Sequence, residues 1–107
     1  MIYKFNKFSV EIWRDIESEK DDVEFYVFFD GKKYFGWAFT VNAIRKCMEK
    51  DQKTGESCNG IYFWAAGLVI VESISLENLG KTISDIINSN PNSLNDIFCE
   101  VDFDYHL

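Results

Sequence analysis

Two runs of alternating side chains flank Asp30-Gly31, and together they constrain the fold more than any other feature of the sequence. In residues 23–29, every second side chain is large and apolar, which places one set on a single face of a strand: Val23, Phe25, Val27 and Phe29. Residues 33–39 repeat the pattern with Phe35, Trp37 and Phe39. An Asp-Gly pair between two such runs is typical of a tight turn, because glycine tolerates positive φ. The sequence therefore predicts an antiparallel hairpin near the middle of the chain.

Further strands are predicted on both sides of this hairpin. Residues 2–14 alternate around Phe8, Val10 and Ile12 and are predicted as one strand. Residues 61–72 are strongly apolar and β-branched, which predicts a central strand or two strands split at Ala65-Ala66-Gly67. Residues 97–105 alternate and are predicted as the last strand. Gly36, inside the strand 33–39, indicates a bulge or a close neighbour.

Two helices are predicted between these strands. Thr40 is suited to cap the first, in which Val41, Ile44 and Met48 are spaced as one helical face. Ser75 is suited to cap the second, which ends at residues 88–91 and has an apolar face along its length: Leu76, Leu79, Ile83, Ile86 and Ile87.

This element order predicts the α+β class. We expect a largely antiparallel, mixed sheet of about five to six strands with two α-helices packed on one face. The 107 residues are enough for one domain and not two, so residues 1–107 are predicted to form a single domain.

No set of catalytic residues is recognisable, and we expect neither enzyme activity nor a cofactor. The single histidine, His106, stands next to the end of the chain, where a base is difficult to position. Cys58 has no neighbouring group that would activate it, so it is interpreted as a loop side chain. The three cysteines are widely spaced and predict free thiols rather than a zinc site. Residues 15–22 are acidic but lack the residue order of a calcium-binding loop, so no metal is expected.

The formal net charge of −7 argues against nucleic acid or an anionic membrane as partner, because both require an excess of Lys and Arg. It is compatible with plain solubility or with a basic protein partner. Residues 1–7 lack the apolar run of a signal peptide, and the longest apolar stretch, residues 61–71, is too short to span a bilayer. These features predict a cytoplasmic protein.

The acids are concentrated in two stretches. Seven lie between Glu11 and Glu24 against two bases, and four lie between Asp96 and Asp104 with none. One interpretation is an edge strand that uses charge to prevent aggregation, and the other is a docking surface for a cationic partner. The predicted partner-binding residues are the acids of residues 15–24, the acids on one face of residues 98–104, and two outward-facing aromatic residues: Asp15, Glu17, Glu19, Asp21, Asp22, Glu24, Tyr26, Phe28, Glu100, Asp102 and Asp104.

The segment from Trp37 to Ile87 combines several motifs in a fixed order. Residues 37–40 precede a helix, Thr54-Gly55-Glu56 is followed by residues 59–64 (Asn-Gly-Ile-Tyr-Phe-Trp), and an apolar strand and a second helix come after them. This segment, about half the chain, resembles small acidic bacterial immunity proteins encoded beside contact-dependent growth inhibition and polymorphic toxins. The resemblance implies a cytosolic protein that binds one cognate toxin domain, often a basic nuclease, and blocks its active site or target-binding face.

Two other functions are left open by the sequence. An adaptor or subunit could bind a protein unrelated to toxins, or form a homodimer, through the large aromatic content of 17%. A small enzyme that uses Cys58 would require a thiol pKa below the ordinary value.

Overall fold

The computed structural model describes residues 1–90 and 92–102. Within these ranges the strands are β1 (Ile2–Lys4), β2 (Ser9–Glu11), β3 (Asp22–Phe29), β4 (Lys32–Phe39), β5 (Leu68–Ile70) and β6 (Cys99–Val101). The helical elements are α1 (Val41–Thr54), α2 (Glu56–Gly60), α3 (Leu76–Ser89) and α4 (Ser93–Ile97), with a short 3₁₀ turn at Ile16–Ser18. No helix among the described residues is long and apolar enough to cross a membrane.

The predicted hairpin is confirmed. β3 and β4 pair antiparallel along their full length, and Phe29 faces Lys32 at the end of the ladder. Asp30 and Gly31 form the turn with φ values of 51° and 73°, the left-handed backbone that a two-residue hairpin requires.

The prediction of one strand over residues 2–14 was wrong, because this segment folds back on itself. β1 and β2 form a second antiparallel hairpin in which Tyr3 faces Val10. The Phe5 N–H donates to the Phe8 carbonyl at 2.8 Å and closes the turn between them. Alternation continues on both sides of the turn, so the pattern alone does not reveal the reversal.

β4 pairs with three strands of the sheet: the order is β1-β2-β3-β4-β5, and β6 is also bonded to β4. The edge of β4 away from β3 is shared, since β6 pairs antiparallel with residues 33–35 and β5 pairs parallel with residues 37–39. The prediction of a central strand over residues 61–72 was therefore wrong: only Leu68–Ile70 is a strand, and it has a peripheral position.

Gly36 marks a close neighbour rather than a bulge. It stands opposite Phe25 in an uninterrupted ladder, and a Cβ at this position would collide with the rings of Phe25 and Phe98. These two rings pack edge to face with centroids 5.4 Å apart. The missing side chain thus makes room for two aromatic residues of the core.

The core lies on one face of the sheet, under α3 and α4. Sheet residues such as Val10, Val27 and Phe25 pack there with Ile83 of α3 and Leu94 of α4, all at most 1% exposed. The predicted α+β fold, with a mixed and largely antiparallel sheet, is confirmed. The Asn78 N–H donates to Ser75 Oγ at 3.0 Å, so the predicted cap of this helix is confirmed as well.

α1 lies outside this core, although the sequence analysis had counted it among the two helices on one face. Thr40 caps it as predicted, with its Oγ1 accepting from the Ala43 N–H at 3.1 Å. The buried residues of α1 are Ala43 and Asp51, whereas Val41 of the predicted apolar face is 58% exposed. The second helix on the core face is α4, which was not predicted; only its last residue, Ile97, had an assignment, as the start of the final strand.

Candidate protein-binding surface

The two faces of the sheet differ in their cover. Alternation along the strands sends one set of side chains to the side opposite α3 and α4, where Tyr26 faces both Glu11 and Phe35, and Phe28 faces Lys33. We call this side the open face. Its central residues are all half-buried or exposed: Glu11, Glu24, Tyr26, Phe28, Lys33, Phe35 and Trp37. The prediction that Tyr26 and Phe28 share a face with Glu24, opposite Val27, is confirmed.

A continuous line of aromatic rings crosses the open face. The successive centroid distances are 5.8 Å for Tyr26–Phe35, 6.5 Å for Phe35–Trp37, 5.0 Å for Trp37–Phe39 and 5.2 Å for Phe39–Phe63. The line begins at the half-buried Tyr26, passes through Phe39, which is only 3% exposed, and ends at the half-buried Phe63. Because each ring packs against the next, the surface is firm and apolar rather than a set of separate mobile side chains.

Residues 61–66, which we call the apolar loop, continue this surface beyond the sheet. Phe63 packs on Phe39, whereas Ile61 and Trp64 are 77% and 72% exposed and Tyr62 is 48% exposed. These residues had been predicted to form a buried strand. The edge of β4 that such a strand would need is already occupied by β5 and β6, so the apolar side chains remain at the surface.

A left-handed turn leads into the apolar loop. Ser57, Cys58 and Asn59 of α2 have φ values of 51°, 52° and 59°, a conformation that costs energy for residues other than glycine. Gly60 continues it at φ 79°, where a Cβ would collide with the Met48 carbonyl of α1. The turn thus places the start of the apolar loop close to Met48 of α1.

Part of the predicted acidic surface lies beside the open face. Asp22 faces Phe39 across the hairpin, and its Oδ2 accepts from the Trp37 Nε1–H at 2.8 Å. Asp21 contacts Lys46 of α1 at 3.4 Å. Among residues 1–90 and 92–102, neither Glu11 nor Glu24 forms an ion pair.

Other predicted acids lie elsewhere. Asp15 caps the 3₁₀ turn by accepting from the Glu17 N–H at 3.2 Å, and both residues line a groove with Tyr3 and Leu76 near the start of α3. Glu19 is 3.7 Å from Arg14. Asp15 and Glu17 are therefore near the helix-covered side, and the acids of residues 15–24 divide between two regions of the molecule.

Glu100, the acid of the second stretch that lies in β6, does not join the open face. Glu100 of β6 pairs with Tyr34, whose ring is buried in the core, so Glu100 projects on the helix-covered side. There its Oε1 lies 3.9 Å from Lys32 Nζ. Asp102 is exposed just after β6, and Asp104 and His106 lie outside the described residues. Among the described residues, Glu100 and Glu24 thus lie on opposite sides of the sheet.

The groove at the Glu24 end of the open face was missed by the sequence analysis. It encloses about 270 Å³ and is lined by Trp13, Arg14, Glu24, Phe25 and Tyr26. Trp13 is 81% exposed, the most exposed large apolar side chain among the described residues. The signal was present in the sequence, because alternation after Val10 and Ile12 places Trp13 on the side of Glu11.

The three cysteines are free thiols. Cys47 is half-buried, and burial, followed by the charges of Asp22 and Asp51, raises the pKa of its thiol. Cys58 and Cys99 are free and exposed. Within the described ranges, no group of three or more acidic, His or Cys side chains could hold a metal ion.

Comparisons with protein-family models, with curated proteins and with solved structures find no match for this chain.

Proposed function

We propose that this chain is a protein-binding domain that neutralises a basic toxin domain, as an immunity protein does, in the cytoplasm. The observation that carries the proposal is the asymmetry of the sheet. α3 and α4 cover one face, whereas the other carries linked, mostly half-buried aromatic rings that continue into the exposed side chains of the apolar loop. Contiguous exposed apolar patches with a polar border are a mark of interaction sites.

The residue types on this surface suit a protein partner. Tyr, Trp and Phe are enriched in the centres of protein interfaces, where they bury large areas with few rotatable bonds. The exposed side chains that could anchor a partner are Trp64, Ile61 and Trp13. The line of packed aromatic rings lies between them. A partner of complementary shape would remove these side chains from water.

The charge of the molecule favours a basic partner over a second copy. Two copies would each carry a net charge of −7 and repel each other. A basic domain would instead be attracted, and it would offer cations to Glu11 and Glu24 on the open face. Steering of this kind raises association rates by about 10- to 1,000-fold at low salt.

Binding would neutralise the toxin by covering the surface with which it binds its substrate. A basic nuclease uses its cationic surface to bind phosphates, and carboxylates placed against that surface compete for the same groups. The bulk of the domain would exclude the substrate even where no acid enters the active site. An adaptor that binds a basic protein other than a toxin would use the same surface.

The test is binding to the protein encoded by the adjacent upstream gene, measured by calorimetry at two salt concentrations. We expect tight binding that weakens as salt rises, and loss of the toxin's activity in the complex. Glu24→Lys should weaken binding and flatten its salt dependence. Glu100→Lys, on the helix-covered side, is the matched control and should leave affinity within about twofold, the scale of a rim charge.

Two results would overturn this proposal. Absence of binding to the neighbouring gene product would remove the immunity role. Binding that responds to Glu100→Lys but not to Glu24→Lys would place the interface on the other side of the sheet.

A further inference from the structure

The groove beside Glu24 has the composition of a binding site for a cationic side chain. The residues that line it include two aromatics, Trp13 and Tyr26, and one carboxylate residue, Glu24. Ring faces attract cations through their quadrupole, and a carboxylate adds charge-assisted hydrogen bonds. A volume of about 270 Å³ is large enough for one extended side chain rather than for a larger ligand.

The open face already shows one such interaction. Lys33 Nζ lies 4.2 Å from the centroid of the Tyr26 ring and 5.6 Å from that of Phe28. Lys33 is opposite Phe28 in the hairpin register, so it approaches Tyr26 from the Phe28 end. The groove lies at the other end, toward Glu24, and is not the position that Lys33 occupies.

Arg14 lines the same groove but does not satisfy Glu24. Its Nη1 is 3.7 Å from Glu19 Oε1, and its side chain is 68% exposed. Within the described part of the chain, Glu24 pairs with no cation. Arg14 therefore adds a like charge near the groove without filling it, and it should weaken the binding of another cation.

We propose that the groove of Trp13, Glu24 and Tyr26 binds an arginine side chain of the basic partner. Arginine fits better than lysine, because its planar guanidinium stacks on aromatic rings and donates two parallel hydrogen bonds to a carboxylate. The proposal rests on the proposed function for the origin of the arginine, but the chemistry of the groove is tested without any toxin.

The probe is the capped tripeptide acetyl-Gly-Arg-Gly-amide, titrated into the full chain and followed by two-dimensional NMR. We expect saturable shifts of the Trp13 indole N–H and of the backbone around Glu24 and Tyr26. The citrulline peptide has nearly the same shape without the charge and should give no saturable shift. The lysine peptide should bind more weakly than the arginine peptide. Equal shifts with citrulline, or none with arginine, would overturn the proposal.

Substitutions at three exposed residues should change the affinity for the arginine peptide in three different ways. Glu24→Gln should weaken arginine-peptide binding about tenfold or more, the scale of one charge-assisted contact. Arg14→Gln should strengthen it, because a competing positive charge is removed. Glu100→Gln removes one negative charge, as Glu24→Gln does, but it lies on the other side of the sheet, so it should have no effect. An effect of Glu100→Gln as large as that of Glu24→Gln would show attraction by net charge alone and would contradict a defined groove.

The outcome is separable from that of the proposed function. Arginine-peptide binding without toxin binding would retain the groove and reject the immunity role. Toxin binding that persists while the arginine peptide gives no shift at Trp13 would reject the groove and retain the role.

Discussion

The Trp37 indole Nε1–H donates a 2.8 Å hydrogen bond to Oδ2 of Asp22 across the β3–β4 hairpin. The two residues are diagonal neighbours, since Trp37 faces Glu24 and Asp22 faces Phe39. The bond joins the aromatic line of the open face to its acidic border. It also fixes the indole ring in the centre of the surface that we propose to bind a partner.

We expect Asp22→Ala to lower the free energy of unfolding by about 1–2 kcal/mol, because the half-buried indole N–H loses a charged acceptor. Asp22→Asn retains an acceptor oxygen and should lose less. Urea denaturation measures both, and the Trp37 indole proton should move upfield in the NMR spectrum of the alanine variant alone. Equal losses in the two variants would mean that the hydrogen bond is not the source of the effect.

Gly36→Ala should destabilise the fold by about 1–3 kcal/mol, the usual cost of overpacking a close-packed core. The added methyl group would enter the space of the Phe25 and Phe98 rings. Thermal unfolding gives the loss, and the double variant Gly36→Ala/Phe25→Leu tests its cause. If the collision with Phe25 is responsible, the double variant loses less than the sum of the two single variants. Simple additivity would argue against the contact.

The parts of the fold that the sequence predicted are those whose signals are local. Asp30-Gly31 fixes the hairpin, and Thr40 and Ser75 cap their helices through their own side chains. The Asn6-Lys7 turn lacks an equivalent signal. It carries no glycine or proline, and apolar residues continue through Phe5 and Phe8, so the β1–β2 hairpin resembled one strand.

The remaining errors depend on contacts distant in sequence. The composition of residues 61–66 is that of a strand, but whether a strand forms depends on a free edge, and β5 and β6 together fill that edge of β4. By contrast, the orientation of Tyr26 and Phe28 follows from alternation within β3, and it was predicted correctly. The side on which Glu100 projects depends on the pairing of β6 with β4, which residues 97–105 do not encode by themselves.

Cys47 should be the slowest of the three thiols to react with iodoacetamide at mildly alkaline pH. Its side chain is half-buried, and burial and the charges of Asp22 and Asp51 raise its thiol pKa, so less thiolate is present. Cys58 and Cys99 are exposed. Mass spectrometry of the labelled peptides gives the three rates. Asp22→Asn removes one of the negative charges and should increase the Cys47 rate; an unchanged rate would exclude the Asp22 charge as a cause.

The same thiol gives a pH dependence of stability with a definite sign. Because the folded-state pKa is raised, the unfolded chain loses its proton first as pH increases. Stability from this group is therefore complete below the thiol pKa of the unfolded chain and is lost as pH rises through the folded-state pKa. As pH rises into the alkaline range, the urea midpoint of Cys47→Ser should fall less steeply than that of the parent. A parallel decline would assign the effect to other groups.

Two adjacent residues of the apolar loop should differ in how much stability their truncation costs. Trp64 is 72% exposed, so Trp64→Ser should change the free energy of unfolding by less than about 0.5 kcal/mol, as for most surface positions. Phe63 packs edge to face on the nearly buried Phe39, and Phe63→Ala should cost about 2 kcal/mol or more. Urea denaturation of the two variants decides this without any partner.

The same pair of variants separates folding from binding once a partner is in hand. Trp64→Ser should retain the fold and weaken binding at least about tenfold, the effect of removing an interface anchor. Lys81→Ser, an exposed change on α3 far from the open face, is the control and should bind as the parent does. Normal binding by a folded Trp64→Ser variant would exclude the apolar loop from the interface, and a strongly destabilised one would mean that the indole packs on the protein instead of facing solvent.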